Sequence, residues 1–395
     1  MNAPTVLIMA GGTGGHVFPA LALARVLRAR AWNVVWLGTR RGLEARIVPA
    51  ERIPIEWLSI GGLRGKGVLT WLLAPLRLTR ALIEALGVMR RQRPHVVVGL
   101  GGFVSGPGGV AAWLTRRPLL IHEQNAIAGF TNRCLARLAR EVLCAFPGAF
   151  GPGVASEVIG NPVRREIAAL PSPAARFGSR AGAIRVLVVG GSLGAARLNT
   201  VVPHTLARLG PELPLEVWHQ AGERGFEATM RCYAEVGVHA RLVPFIEDMA
   251  VAYAWADLVI CRAGALTIAE LAATGVGAIL VPFPAAVDDH QTRNAGFLVN
   301  EGAAVLIADR EFSPERLERE LRDELGRQGQ TMRGDLGTFQ QMLLTQGGDV
   351  ARTQNEQIDS FRVQLVAMQQ QTDAALRRFS DTLAEQLRLL SDTSE

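Results

Sequence analysis

Thr5-Val6-Leu7-Ile8-Met9-Ala10-Gly11-Gly12-Thr13-Gly14-Gly15-His16 is the stretch on which the fold turns. Residues 5–10 form an uninterrupted apolar run of strand length, stopped by glycines, which reads as a buried strand. The apolar period resumes as a helix over residues 20–30. A strand, a glycine loop and a helix in that order let the backbone approach a diphosphate closely and offer it the N–H groups of a helix start. The arrangement recurs once: residues 185–189 form a strand that runs into Gly190-Gly191-Ser192-Leu193-Gly194-Ala195. A third glycine cluster, residues 99–107, follows an apolar run at 96–100. Neither loop has the G-x-G-x-x-G spacing with an acidic residue about 20 positions on, and no P-loop lysine is present.

Around these anchors, strand-length runs at 34–37 and 96–100, and then at 216–220, 242–245, 258–261 and 278–281, alternate with longer amphipathic stretches such as 111–114. Such alternation predicts an α/β fold with parallel sheets covered by helices. The restart after Gly160-Asn161-Pro162 divides it into two halves, 1–161 and 162–325, whose loops face a common cleft if each sheet presents its carboxyl edge there. Beyond Ser313-Pro314, an N-cap and first-turn proline, a helix is expected over 315–325. The style then changes. Ile358, Phe361, Leu365, Met368, Thr372, Leu376, Phe379, Leu383, Leu387 and Leu390 step at helical spacing, so 326–395 reads as a Gln-rich, coiled-coil-like helical extension.

Composition agrees with that division. Of the 395 residues 49% are hydrophobic, enough for a large core and far from a disordered or disulfide-scaffold composition. Gln occurs four times in residues 1–310 and twelve times after. Charges divide as 32 basic against 21 acidic before residue 311 and 10 against 15 beyond it, so the net +6 conceals a basic body at +11. The excess suits nucleic acid, an anionic membrane or a phosphorylated substrate, and placement must choose among them. Cys134, Cys144, Cys232 and Cys261 have neither zinc-ligand nor disulfide-framework spacing. No signal peptide is read at the N-terminus, and the uncharged run 96–115 carries too many glycines for a membrane helix.

Polar groups gather at predicted strand ends. His122-Glu123-Gln124-Asn125 follows 119–121, Arg164 follows Gly160-Asn161-Pro162-Val163, Arg262 to Glu270 follows 258–261, and Asp288-Asp289-His290-Gln291 follows 281–284. Taken singly, a helix-start Glu caps or is solvated and a His hydrogen-bonds structurally. Their joint placement at one edge points to a site.

These runs, GGTGGHVFPA (11–20), GGFVSGP (101–107), HEQNAIAGFTN (122–132), GNPVR (160–164), GGSLGA (190–195), PFIEDM (244–249), RAGALTIAE (262–270) and DDHQTRNA (288–295), resemble the MurG family over about 1–320. That family moves N-acetylglucosamine from its UDP donor onto undecaprenyl-pyrophosphoryl-N-acetylmuramoyl pentapeptide, lipid I, making lipid II at the cytoplasmic face of the bacterial inner membrane. The resemblance implies the GT-B architecture, two Rossmann-like domains facing a cleft. It implies that Thr13, Gly14, Gly15 and Asn125 face the donor sugar and diphosphate. Arg164 and Ser192 would bind the diphosphate region, and the Ile246 backbone would read the uracil. Ala265, Leu266, Thr267, Ile268, Ala269 and Glu270 would lie along the nucleotide, Glu270 taking ribose hydroxyls, with Gln291 on the sugar. No cofactor or metal is expected, because helix starts and Arg164 can carry the charge of departing UDP. For the base, His16 is the candidate by its pKa and loop, with Glu123 the runner-up.

A peripheral contact with anionic membrane is expected through the region of Trp71, Leu72, Leu76, Arg77 and Arg80, with Trp113 and Arg116-Arg117 nearby, and no nucleic acid for 1–325. An ordinary core helix with a basic edge is the plainer alternative. Residues 327–395 do not match the family. In style they resemble the coiled-coil region of RmuC-type DNA recombination proteins, and read as a fused foreign segment, a partner-binding extension or a diverged cap. Rival functions are a glycosyltransferase with another acceptor, a UDP-sugar epimerase, or an inactive transferase domain joined to a coiled-coil interaction segment.

Overall fold

The computed structural model describes residues 3–61, 74–178, 180, 182–191, 194–210, 214–284 and 289–331, with side chains to 323. The helical extension expected over 326–395 therefore lies almost wholly outside the described residues. Two parallel sheets carry the fold, one in each half. The first joins β1 (Thr5–Met9), β2 (Asn33–Gly38), β3 (Ile55–Trp57), β4 (Val96–Gly99), β5 (Leu119–Glu123), β6 (Glu141–Cys144) and β7 (Glu157–Val158) in the order β3-β2-β1-β4-β5-β6-β7. The second joins β8 (Ile184–Val189), β9 (Leu215–Gln220), β10 (Arg241–Val243), β11 (Leu258–Cys261), β12 (Gly277–Leu280) and β13 (Ala304–Leu306) in the order β10-β9-β8-β11-β12-β13.

The central strands β1, β4, β5 and β11 are buried along nearly their whole length, which is why they read as continuous apolar runs and not as alternating ones. Both orders reverse direction once, between β1 and β4 and between β8 and β11, and ligands of such sheets bind outside the carboxyl ends at that point. Register brings the loops together. Met9 pairs with Leu37 and Gly99, Gly99 with Ile121 and Glu123 with Cys144, so the loops after β1, β4 and β5 leave side by side. In the second sheet Val189 pairs with both Gln220 and Cys261.

Two expected helix boundaries shift. The first helix is Gly14–Ala29, starting inside the glycine loop and carrying Pro19, and the helix expected over 111–114 begins at Ser105, through Gly106, Pro107, Gly108 and Gly109. Apolar periodicity is blind to glycines, and tertiary packing offsets their poor helix propensity. An added Cβ at Gly109 would stand 2.6 Å from Leu135, so small residues are what let this helix approach its neighbour. The helix after Ser313 begins at Pro314, with the Ser313 hydroxyl accepting the Arg316 N–H at 3.2 Å as expected of an N-cap, and continues to Thr331. Its buried Leu317 and Leu321 join Phe312 in the core over the second sheet.

Candidate functional site

The loop after β1 turns at Gly12, whose φ of +93° suits glycine, and enters the helix with Thr13 in extended backbone as its N-cap. His16 and Val17 donate to the Thr13 carbonyl, and the amides of Thr13, Gly14 and Gly15 belong to the helix start, where N–H groups have no intrahelical acceptor. His16 is half-buried on the first turn. Its Nδ1 lies 3.5 Å from the Thr13 hydroxyl, and a Cβ on Gly101 (φ +104°) would stand 2.6 Å from its ring. Burial lowers the imidazole pKa from its ordinary 6.5; Glu123, the Gly11 backbone and Glu44 push it up, and His290 of the second half pushes it down. His16 thus lies within electrostatic reach of groups from both halves.

Glu123 is buried at the end of β5 and its lone pairs are taken. One carboxylate oxygen accepts the backbone and side-chain N–H of Asn125 at 3.0 and 3.1 Å, and the other accepts Gly129 N–H at 3.0 Å and Asn132 Nδ2 at 2.9 Å. Four donors leave this carboxylate poorly placed to accept a substrate proton. The runner-up base is therefore better described as the group that shapes residues 123–132. It also holds Asn125, whose Oδ1 accepts from Asn294 at 3.2 Å.

In the second half the site residues are largely engaged with one another. Arg164 donates to Glu270 at 3.0 Å, and the other Glu270 oxygen accepts the Tyr253 hydroxyl at 3.0 Å. Burial raises the Glu270 carboxyl above its usual range, and Arg164 opposes the rise. Arg164 and Glu270, expected at the diphosphate and the ribose, are thus each other's partners. Ile246 is buried and its N–H is bonded to Gln220 Oε1 at 2.9 Å. Gln291 accepts the Phe283 N–H at 2.8 Å through its side-chain oxygen. Ala265, Leu266, Thr267, Ile268, Ala269 and Glu270 lie on the helix Ala265–Thr274, with Gly264 as its N-cap. Ser192 falls outside the described residues, as do Trp71, Leu72 and Asp288.

Three residues emerge that the sequence did not single out. Asn294, wholly buried, joins the halves: its Oδ1 accepts Ala126 N–H at 2.8 Å, and its Nδ2 reaches Asn125 and the Ala263 carbonyl. Gln220 bridges two loops, donating to the Gly191 carbonyl at 3.0 Å while accepting from Ile246. Tyr253 seats Glu270. Asn294 sits inside the quoted run 288–295 and Gln220 at a strand's carboxyl end, but long-range partners cannot be read from spacing.

Residues 6–144 match the glycosyltransferase family 28 N-terminal domain, and residues 185–334 match the glycosyltransferase family 28 C-terminal domain. A transferase of Nitrosococcus oceani is 60% identical over 316 residues, covering 80% of this chain and 88% of that one; it is named UDP-N-acetylglucosamine--N-acetylmuramyl-(pentapeptide) pyrophosphoryl-undecaprenol N-acetylglucosamine transferase. The identically named protein of Alkalilimnicola ehrlichii is 60% identical over 317 residues, with 80% and 88% covered. The crystal structure of Acinetobacter baumannii MurG superposes with a TM-score of 0.72 at 40% identity, covering 89% of this chain and 95% of that one. The chain belongs to the MurG family. Its GT-B architecture is therefore that of a MurG-type glycosyltransferase, and the family match extends to residue 334, somewhat beyond the limit read from the motifs.

Proposed function

We propose that this chain moves N-acetylglucosamine from UDP-N-acetylglucosamine to the 4-hydroxyl of the muramoyl sugar of lipid I, forming lipid II in peptidoglycan synthesis. The observation that carries the reading is 60% identity to transferases so named, supported by the meeting of the two halves through Asn125 and Asn294, by His16 within electrostatic reach of Glu123 and His290, and by the Arg164–Glu270 pair in the second half. The acceptor oxygen attacks the anomeric carbon from the face opposite UDP. The bond from that carbon to the β-phosphate oxygen breaks, its electron pair leaves with UDP, and the configuration inverts.

His16 takes the acceptor proton. Its lowered pKa keeps the ring neutral, and so able to accept, at working pH. The amides of Thr13, Gly14 and Gly15, the start of the helix Ala265–Thr274 and Arg164 stabilise the charge developing on the diphosphate. Ser192 contributes from the second glycine loop, and the Ile246 carbonyl meets the uracil. Glu270 takes the ribose hydroxyls once Arg164 turns to phosphate, and Gln291 holds the sugar. Asn125, kept in place by Glu123, closes the donor site from the first half.

The acceptor is membrane-borne, and the protein meets the cytoplasmic face of the inner membrane peripherally. Among the described residues no helix is long and apolar enough to cross a membrane. Leu76, Leu78, Ile83, Trp113 and Leu114 are exposed on the helices Ala74–Gln92 and Ser105–Leu114, with Arg77 also exposed beside them. Arg80 pairs with Glu84 at 2.9 Å, so its charge is partly spent within its own helix.

The test is UDP release and product formation with a lipid I analogue. His16→Ala should lower kcat by at least about a hundredfold, the usual size of a general-base contribution. The parent's kcat should rise with pH through a midpoint below 6.5, because the ring must lose its proton to act and its pKa is lowered in the fold. Turnover in the variant within about threefold of the parent removes His16 from the base role.

A further inference from the structure

Behind the glycine loop after β1 lies a carboxylate with no part in the scheme above. Glu44, the first residue of the short helix Glu44–Ala50, is wholly buried. One of its oxygens accepts the Gly12 N–H at 2.9 Å; the other accepts the Thr39 N–H at 2.9 Å and the Thr39 hydroxyl at 2.7 Å. It makes no ion pair among the described residues. Glycines make room for it on three sides. A Cβ on Gly11 would stand 2.7 Å from a carboxylate oxygen, one on Gly38 would stand 2.8 Å from Glu44 Cγ, and one on Gly42 would land on the carboxylate itself.

An uncompensated carboxylate is costly to bury, so three donors and a glycine cradle mark a site built around this group. What the carboxylate grips is the turn that carries the candidate base. It engages Gly12, and Gly102 packs closely against the backbone of Gly11. His16 stands on the first helical turn after this loop, where Glu44 adds a favourable charge to the imidazolium. The Gly12 amide is thereby turned inward, and the following amides of Thr13, Gly14 and Gly15 remain for the diphosphate.

We infer that Glu44 is a positioning residue for the transfer reaction, its carboxylate holding the Gly11–Gly12 turn from behind and so setting His16 against the acceptor hydroxyl. The inference rests on His16 as the base. Steady-state transfer with UDP-N-acetylglucosamine and a lipid I analogue, together with NMR titration of the His16 ring in the full chain, tests it. Glu44→Gln keeps the shape but removes the charge and presents an amide to N–H donors. It should lower kcat about tenfold or more, move the donor KM by less than about threefold, and shift the His16 midpoint downward because a nearby negative charge is gone. Glu44→Asp keeps the charge but shortens the reach, so kcat should fall while the midpoint stays near that of the parent.

Should either variant fail to fold, Gly42→Ala displaces the carboxylate without removing it and should also lower kcat. Parental kcat in Gly42→Ala overturns the inference. So does a folded Glu44→Gln protein whose kcat and His16 midpoint match the parent, or one whose activity falls only with its folded fraction while the midpoint stays put. His16→Ala run alongside separates the two failures: retained turnover there overturns the base reading, whereas an inactive His16→Ala beside a parental Glu44→Gln overturns the role of Glu44 alone.

Discussion

Gln220 shows how a single amide can serve a site it does not enter. Buried at the end of β9, it accepts from Ile246 and donates to Gly191, tying the loop proposed to meet uracil to the loop proposed to meet diphosphate. Gln220→Leu conserves volume but leaves an N–H and a carbonyl without partners, at a cost of about 1–3 kcal/mol. The donor KM should rise about tenfold while kcat changes less. A donor KM equal to the parent's would show that the two loops are held by something else. His16, Glu123, Arg164 and Glu270 were candidates in the sequence because polar residues gather together at predicted strand ends and loops and in runs that resemble the family. That Arg164 and Glu270 pair depends on a distance between segments 106 residues apart, and that Glu123 spends its lone pairs on four N–H donors from Asn125, Gly129 and Asn132 depends on how the loop folds back on it.

At the level of elements, the glycine loops are where sequence pattern and backbone geometry agree most closely. Gly12 and Gly102 both have positive φ, +93° and +84°, yet their surroundings differ. A Cβ on Gly12 meets nothing within 4 Å, whereas one on Gly102 would fall on the Gly11 carbonyl. Gly12→Ala should therefore cost only the backbone strain, about 1–2 kcal/mol. Gly102→Ala adds a clash with backbone that cannot rotate away and should cost at least about 2 kcal/mol more. Thermal or denaturant unfolding of the two variants measures the difference, and equal losses would mean that the loops after β1 and β4 are not packed as described. The strand runs were readable from apolar continuity. The strands β3, β6, β7 and β13 were not; β3, β7 and β13 are edge strands of two or three residues, which leave little periodic signal and take their state from the neighbouring strand.

The whole molecule combines a basic body with exposed apolar side chains on the helices Ala74–Gln92 and Ser105–Leu114. If this face meets the membrane, binding to vesicles rich in anionic lipid should weaken as salt rises from low to physiological strength, where the screening length falls to about 8 Å. Trp113→Glu should weaken it by at least about fivefold, with transfer to a soluble acceptor analogue unchanged. Vesicle affinity indifferent to both salt and Trp113→Glu would return this face to an ordinary solvent-exposed surface. The amino-acid order by itself determined the two α/β halves, their glycine loops, the basic body and the family, because apolar runs, glycine positions and motif order are local properties that survive in one dimension. Only the tertiary structure decided which groups meet: Asn294 spanning the halves, Gln220 tying two loops, Glu44 beneath the first turn and Glu123 enclosed by donors. Asn294 needs both halves assembled, Gln220 and Glu44 need the loops of one sheet brought side by side, and Glu123 needs residues 123–132 folded around it, geometry that no local pattern of the sequence carries.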